Sequence, residues 1–148
     1  MTDRGGFLLD VMLGKLATYL RMCGYDAAYA LDRGLEADDA VRALAAAESR
    51  TLLTRDEQLA AGVDGAILLT ERGIEGQLRE LRTAGVDLGL PAEPRRCSDC
   101  NGELEPVDAE EAPERVPDDV EPYRCRDCGK WFWKGSHWDD VRETLEEL

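Results

Sequence analysis

Along the first ninety positions, short apolar runs alternate with stretches of helical periodicity. Gly6-Phe7-Leu8-Leu9-Asp10 is an apolar run closed by an acid, and it predicts a buried strand. Leu13, Leu16, Ala17 and Leu20 recur three and four apart, which predicts a helix that Gly24 stops. Tyr25 to Ala30 predicts a second strand, followed by a polar turn at Asp32-Arg33-Gly34. Val41, Leu44 and Ala45 predict the next helix, with Asp38 as its N-cap or a first-turn residue. Arg50 to Thr54 predicts a third strand that ends at Arg55-Asp56, with a short helix near Gln58 to Ala61. Ala66 to Leu69 predicts a fourth strand, and Ile74, Leu78 and Leu81 mark a helix ending at Gly85.

Strands separated by helices imply crossover connections, hence an α/β domain with a mostly parallel sheet and helices on both faces. Gly89 to Pro94 reads as a linker, which divides the chain into a core, residues 1–92, and a small module, residues 93–148. In that module Lys130-Trp131-Phe132-Trp133-Lys134 alternates like a strand. Asp139 to Leu148 predicts a closing helix with Val141 and Leu145 on one side. There is no internal repeat.

The second module carries two cysteine pairs, Cys97-Ser98-Asp99-Cys100 and Cys125-Arg126-Asp127-Cys128. Each C-x-x-C hairpin offers two thiolates to one ion, and two hairpins complete a tetrahedral sulfur shell suited to structural Zn²⁺. The 24 residues between the pairs slightly exceed the usual ribbon gap, and an Asp-, Glu- and Pro-rich insert, Asp108 to Pro122, accounts for the excess as a loop. A thioredoxin-like pair would open a helix after a strand, and neither pair does. Four thiolates leave no open position for substrate, so catalysis must lie elsewhere. The fifth cysteine, Cys23, lies on an apolar helix face and is expected in the core.

The 148-residue chain has no apolar stretch long enough to span a bilayer, and Met1-Thr2-Asp3-Arg4 lacks a signal-peptide pattern. A cytoplasmic protein without membrane association is expected, and zinc-bound thiols suit that reducing compartment. The net charge of −14 argues at first against nucleic acid. Lysine, however, is limited to Lys15, Lys130 and Lys134, and the acids are dispersed. That composition suits a halophilic protein from a salt-rich cytoplasm, such as a haloarchaeon's, where counterions screen the surface and net charge no longer excludes RNA.

In an open parallel sheet, functional groups gather beyond the carboxyl ends of the strands. Asp10 and Asp56 follow the first and third strands, and Asp38 and Asp39 open the helix after the second. Converging carboxylates repel each other, and a hard divalent ion, Mg²⁺ or Mn²⁺, removes the conflict. Such an ion activates water and stabilises charge on a phosphate. An Asp after a strand is equally a helix cap, so periodicity alone leaves both readings open. No Ser-His-Asp set competes, because His137 is the only histidine, and no Gly-rich phosphate loop is present.

These residues resemble the PIN-like RNase domain named after the carboxy-terminal part of the Mut-seven exonuclease, in which a PIN-type core is followed by a zinc ribbon. The matching segments are Phe7 to Ala17, Leu52 to Asp56, Cys97 to Leu104, Cys125 to Cys128 and Lys134-Gly135-Ser136-His137-Trp138. The resemblance covers nearly the whole chain in the same order. It implies a metal-dependent ribonuclease that leaves a 5′-phosphate and a 3′-hydroxyl. The resemblance makes Asp10, Asp38 and Asp56 the counterparts of the metal-binding acids, with Asp39 as the neighbouring alternative to Asp38; Glu71 follows the next strand, where such nucleases commonly carry a fourth acid.

Lys15 and Arg55 adjoin these acids and either neutralise substrate phosphates or pair with carboxylates; Arg21, further along its helix, reads as a weaker candidate or a solvated charge. The tryptophans and Phe132, interleaved with Lys130, Lys134 and His137, either bind single-stranded RNA or pack over the metal. Three rival functions remain: a non-catalytic RNA-binding adaptor, the toxin of a toxin–antitoxin pair, or a zinc-based redox switch. The oligomeric state is open, a homodimer included.

Overall fold

The computed structural model describes residues 6–148. The segment Met1-Thr2-Asp3-Arg4, discussed above for its lack of a signal pattern, lies outside them. Four strands, β1 (Gly6–Leu9), β2 (Asp26–Tyr29), β3 (Thr51–Thr54) and β4 (Ile67–Leu68), form a parallel sheet in the order β2-β1-β3-β4. Strand alternation sorts the apolar runs between its two faces. Phe7, Leu9, Ala27 and Leu53 belong to one buried cluster, and Leu8, Ala28 and Leu52 to the other. Both faces are therefore covered, which is why these strands read as continuous apolar runs.

On the first face, α1 (Gly14–Met22) contributes Leu16 and Leu20, and α4 (Ile74–Thr83) contributes Leu78 and Leu81. On the second, α2 (Asp38–Ala47) contributes Val41 and Ala45, and α3 (Glu57–Ala61) contributes Leu59. Each such leucine, fully buried, adds about 1.5–3 kcal/mol before its entropy cost. Cys23 is fully buried in the first cluster, as expected of a core residue.

Strand β4 is shorter than its apolar run. Leu69 N–H still pairs with the Thr54 carbonyl at 2.8 Å, but the next two N–H groups, of Thr70 and Glu71, turn to the Glu80 carboxylate instead of a ladder.

The second module is an antiparallel sheet of β5 (Leu104–Pro106), β6 (Tyr123–Cys125) and β7 (Trp131–Phe132), in the order β5-β6-β7. The acidic insert is a loop with one short 3₁₀ turn, Ala109–Glu111. The closing helix α5 spans Ser136–Glu146, starting three residues earlier than the apolar pair indicates. Its Trp138, Val141 and Leu145 enter the first-face cluster of the parallel sheet, so the ribbon's helix packs on the α/β core.

The first cysteine hairpin is also tied to the sheet. Asn101 sits at φ +72°, a left-handed conformation that asparagine tolerates, and its Oδ1 accepts from the Ala27 N–H at 2.9 Å. Its Nδ2 donates to Asp26 Oδ1 at 2.7 Å. The Ala27 carbonyl accepts from Arg21 Nε at 2.9 Å, and Arg21 Nη1 reaches the Ser98 and Asp99 carbonyls at 3.1 and 3.3 Å. Arg21 is therefore buried, not the solvated charge its helical position suggests. An exposed sheet edge leaves backbone groups unpaired. Here Asn101 and Arg21 satisfy both groups of Ala27, and the edge strand becomes the ribbon's docking line.

Candidate active-site crevice and zinc site

The strand order places a topological switch between β1 and β3. The chain leaves β1 for α1 on the first face, whereas it leaves β3 for α3 on the second. Connections that diverge from adjacent parallel strands open a crevice at their carboxyl ends. Asp10 and Asp56 are the acids at that point.

Asp10 is 8% exposed, and each of its carboxylate oxygens is held. Oδ1 accepts from the Val11 N–H at 2.8 Å, and Oδ2 accepts from Thr54 Oγ1 at 2.7 Å. The same Thr54 oxygen accepts from the Asp56 N–H at 3.0 Å, so one buried hydroxyl joins the loops after β1 and β3. Asp56 Oδ1 accepts from the Gln58 and Leu59 N–H groups at 2.9 and 3.2 Å, capping α3. The capping role open to every post-strand Asp thus falls to Asp56. Asp38, by contrast, is the first residue of α2; the N-cap is Ala37, which has no side-chain cap.

Around this pair the rim is polar. The Tyr29 hydroxyl donates to the Val11 carbonyl. Burial, then the charges of Asp32 and Asp10, pushes the Tyr29 hydroxyl above its ordinary value. Beyond β4, Glu80 accepts from the Thr70 and Glu71 N–H groups and from Thr70 Oγ1 at 2.8–3.0 Å. Burial would raise its carboxyl, but those donors and the Arg55 charge hold it below the usual carboxylate range. Nothing marks Glu80 in the sequence, where it is one of several helix glutamates; Asp32 had read only as part of a turn.

The other sequence candidates are less buried than Asp10. Asp38 is exposed at the start of α2, and the Asp39 side chain is 97% exposed and paired with Arg42 Nη1 at 3.1 Å. Lys15 is exposed on the first turn of α1, and Glu71 is exposed, its N–H and carbonyl engaged by Glu80 and Gln77. Arg55 is half-buried, and its Nε has no hydrogen-bond partner among the described residues.

Among the described residues, one set of three or more metal-ligating side chains converges: Cys97, Cys100, Cys125 and Cys128, with sulfurs all within 4.8 Å of one another. The Cys97–Cys128 and Cys100–Cys125 sulfurs are 3.7 and 3.4 Å apart. Zn–S bonds of about 2.3 Å give tetrahedral sulfur–sulfur edges of about 3.8 Å, so the shell is sized for zinc. Backbone N–H groups at 3.4 Å support the thiolates, from Cys100 to Cys97 Sγ and from Asp127 and Cys128 to Cys125 Sγ.

Burial and backbone N–H groups act unequally on Cys97, Cys100 and Cys125. Burial pushes Cys97 and Cys100 up. Burial also acts upward on Cys125, but the Cys128 and Asp127 N–H groups and the neighbouring thiols bring it down to about 7. Arg21 and Lys130 both feel the charge of these thiolates, and two cations would balance the net −2 of a zinc tetrathiolate. The donor set, its spacing and its counter-charges all fit the ion.

No helix among the described residues is long and apolar enough to cross a membrane. No curated protein and no solved structure matches the chain. The family model described as the Mut7-C RNAse domain matches residues 5–145, across the sheet, the crevice and all four cysteines. The chain therefore belongs to the Mut7-C RNAse domain family.

Proposed function

We propose that this chain is a metal-dependent ribonuclease that hydrolyses phosphodiester bonds of single-stranded RNA in the crevice between β1 and β3. The observation that carries this reading is the Thr54 hydroxyl shared between Asp10 and the backbone of Asp56, which fixes two acids from separate strands at the topological switch. Asp10 and Asp56, with Asp38 from the start of α2, are the proposed ligands of Mg²⁺ or Mn²⁺, and Asp39 is the alternative to Asp38. Carboxylate oxygens are the donors that a hard cation takes. Each Asp10 oxygen accepts one hydrogen bond and keeps a further lone pair, and Asp56 accepts its capping bonds through Oδ1.

A divalent ion held there would lower the pKa of a bound water and offset charge developing on the phosphate. The chain's own residues supply the positioning. Thr54 orients Asp10, and Lys15 on the first turn of α1 offers a cation to substrate phosphates. Arg55, whose charge acts on Glu80, holds the far side of the rim.

The rival is an RNA-binding protein without catalysis. It draws on one observation: Asp38 and Asp39 are exposed, and no acidic trio converges among the described residues. Labelled single-stranded RNA incubated with zinc-loaded protein separates the two. Cleavage that requires added Mg²⁺ or Mn²⁺ and disappears in Asp10→Asn supports hydrolysis, whereas binding without cleavage supports the rival. The divalent ion is best omitted rather than chelated, because a chelator would also strip the cysteine site.

A further inference from the structure

The ribbon and the outer side of α1 enclose a groove of about 350 Å³, and none of its lining residues belongs to the crevice. Trp131, Phe132 and Trp133 line it and are half-buried, while Trp138 at the same groove is buried in the core. Aromatics that only packed a ribbon would be covered like Trp138; Phe132 and Trp133 stay open to the groove instead, while the Trp131 ring, on the other face of the strand, carries Arg124 at 5.7 Å from its centre.

The groove is also a basic patch on an acidic protein. Arg95, Arg96 and Lys130 line it against one acid, Asp99, which Lys130 already engages at 2.6 Å. Neither arginine is in an ion pair among the described residues. Lys130 lies 5.5 Å from the Phe132 ring centre, and Lys134 lies 5.7 Å from that of Trp138. Three cations against one acid, in a chain of net charge −14, is a local reversal of sign that suits a polyanion. Aromatic faces beside cations are the means by which proteins hold unpaired bases and their phosphates. The volume lies at the small end of ligand sites, enough for one nucleotide and too small for a duplex.

We infer that this groove holds an unpaired base of single-stranded RNA, stacked on Phe132 and Trp133, with flanking phosphates on Arg95 and Arg96. This rests on the ribonuclease reading only in taking RNA as the ligand. Helix α1 links the two places: its Gly14 lies against the Tyr29 ring at the crevice rim, and its Thr18 and Met22 line the groove. At 1.5 Å per residue they lie about 6 and about 12 Å further along the axis. A strand seated in the groove is thereby led toward the crevice.

The test is fluorescence anisotropy of a labelled twelve-nucleotide RNA, single-stranded or annealed to its complement, titrated with zinc-loaded full-length protein without Mg²⁺ or Mn²⁺. The single strand should bind more tightly than the duplex. Trp133→Ala should weaken binding about 5- to 150-fold, the range for loss of one stacked base, and Trp133→Phe should restore most of it. Arg95→Gln alters an exposed side chain, and it should weaken binding and flatten its salt dependence. Wild-type affinity in both Trp133→Ala and Arg95→Gln, equal affinity for duplex, or no binding by the wild type would each overturn the proposal. Cleavage is scored separately. Groove-dependent binding without metal-dependent cleavage removes the hydrolytic reading alone, and cleavage with binding indifferent to Trp133 and Arg95 removes the groove alone.

Discussion

Thr54 Oγ1 lies 2.7 Å from Asp10 Oδ2, and both side chains are buried. Because the same oxygen accepts from the Asp56 N–H, it serves two strands at once. Thr54→Val keeps the shape and removes the hydroxyl, leaving a carboxylate oxygen and an N–H without their partner. Such losses cost about 1–3 kcal/mol each when buried. Urea unfolding should register a loss of about 1–3 kcal/mol, most of it from the buried Asp10 oxygen because half-buried Asp56 can turn its N–H to water, and cleavage should fall at least tenfold as Asp10 loses its orientation. Thr54→Ser keeps the hydroxyl and should retain most activity; a Thr54→Val enzyme as active as wild type would show that Asp10 needs no such support.

Asn101 offers a second test, since side chain and backbone contribute separately there. Asn101→Gly removes the bonds to Ala27 and Asp26 but suits φ +72°, whereas Asn101→Ala also strains the backbone. Both should be destabilised by about 1–3 kcal/mol, with the alanine variant worse by up to about 1 kcal/mol. Hydrogen exchange at the Ala27 amide should accelerate in both. Unchanged protection would mean that the ribbon does not guard this edge.

Acid should loosen the same junction. Burial acts to raise the Asp26 carboxyl, but Arg50 and Asn101 hold it below its ordinary value of 3.8. A carboxyl lowered in the folded state contributes stability above its unfolded pKa and loses it as pH falls through the folded one. Asp26→Asn should therefore be less stable than wild type at pH 7, and the gap should stay constant down to about pH 5 and close below about pH 4. Zinc loss in acid affects both proteins alike, so the difference between their urea midpoints isolates the carboxylate. A gap that persists at pH 2 would detach it from Asp26 ionisation.

The parts legible in the sequence are those set by local pattern. Apolar runs alternating between two sheet faces gave the parallel strands, and the spacing of the cysteine pairs gave their convergence. What escaped depends on which surfaces meet. Val141 and Leu145 show that α5 has an apolar side but not that it rests on the α/β core. Arg21 looks solvated because its partners, the carbonyls of Ala27, Ser98 and Asp99, carry no side-chain signature. Asn101 looks like any hairpin residue until the sheet edge is beside it. In the crevice, Asp10 and Asp56 follow from strand ends, whereas Thr54 reads only as a strand residue.

Arg21 ties the four-cysteine cluster to the core. Its Nη1 is held by the carbonyls of the first cysteine hairpin, and its charge faces the thiolates and, at 3.7 Å, Asp32. If Cys125→Ser prevents the sulfur shell from closing, the hairpin loosens and a buried guanidinium loses partners it cannot replace with water. The variant should bind no zinc by atomic absorption, and its loss of stability should extend to the parallel sheet, not only the ribbon. Arg21→Met separates this effect from loss of the ribbon itself. In the zinc-loaded protein it removes bonds to Ala27, Ser98 and Asp99 and should destabilise by about 1–3 kcal/mol. In the Cys125→Ser background those bonds to the hairpin are already weakened, so the same substitution should cost markedly less or even stabilise. The double-mutant cycle reads this as a coupling of about 0.5–3 kcal/mol between residues remote in sequence. Strict additivity would mean that the cysteine shell and the sheet are stabilised independently.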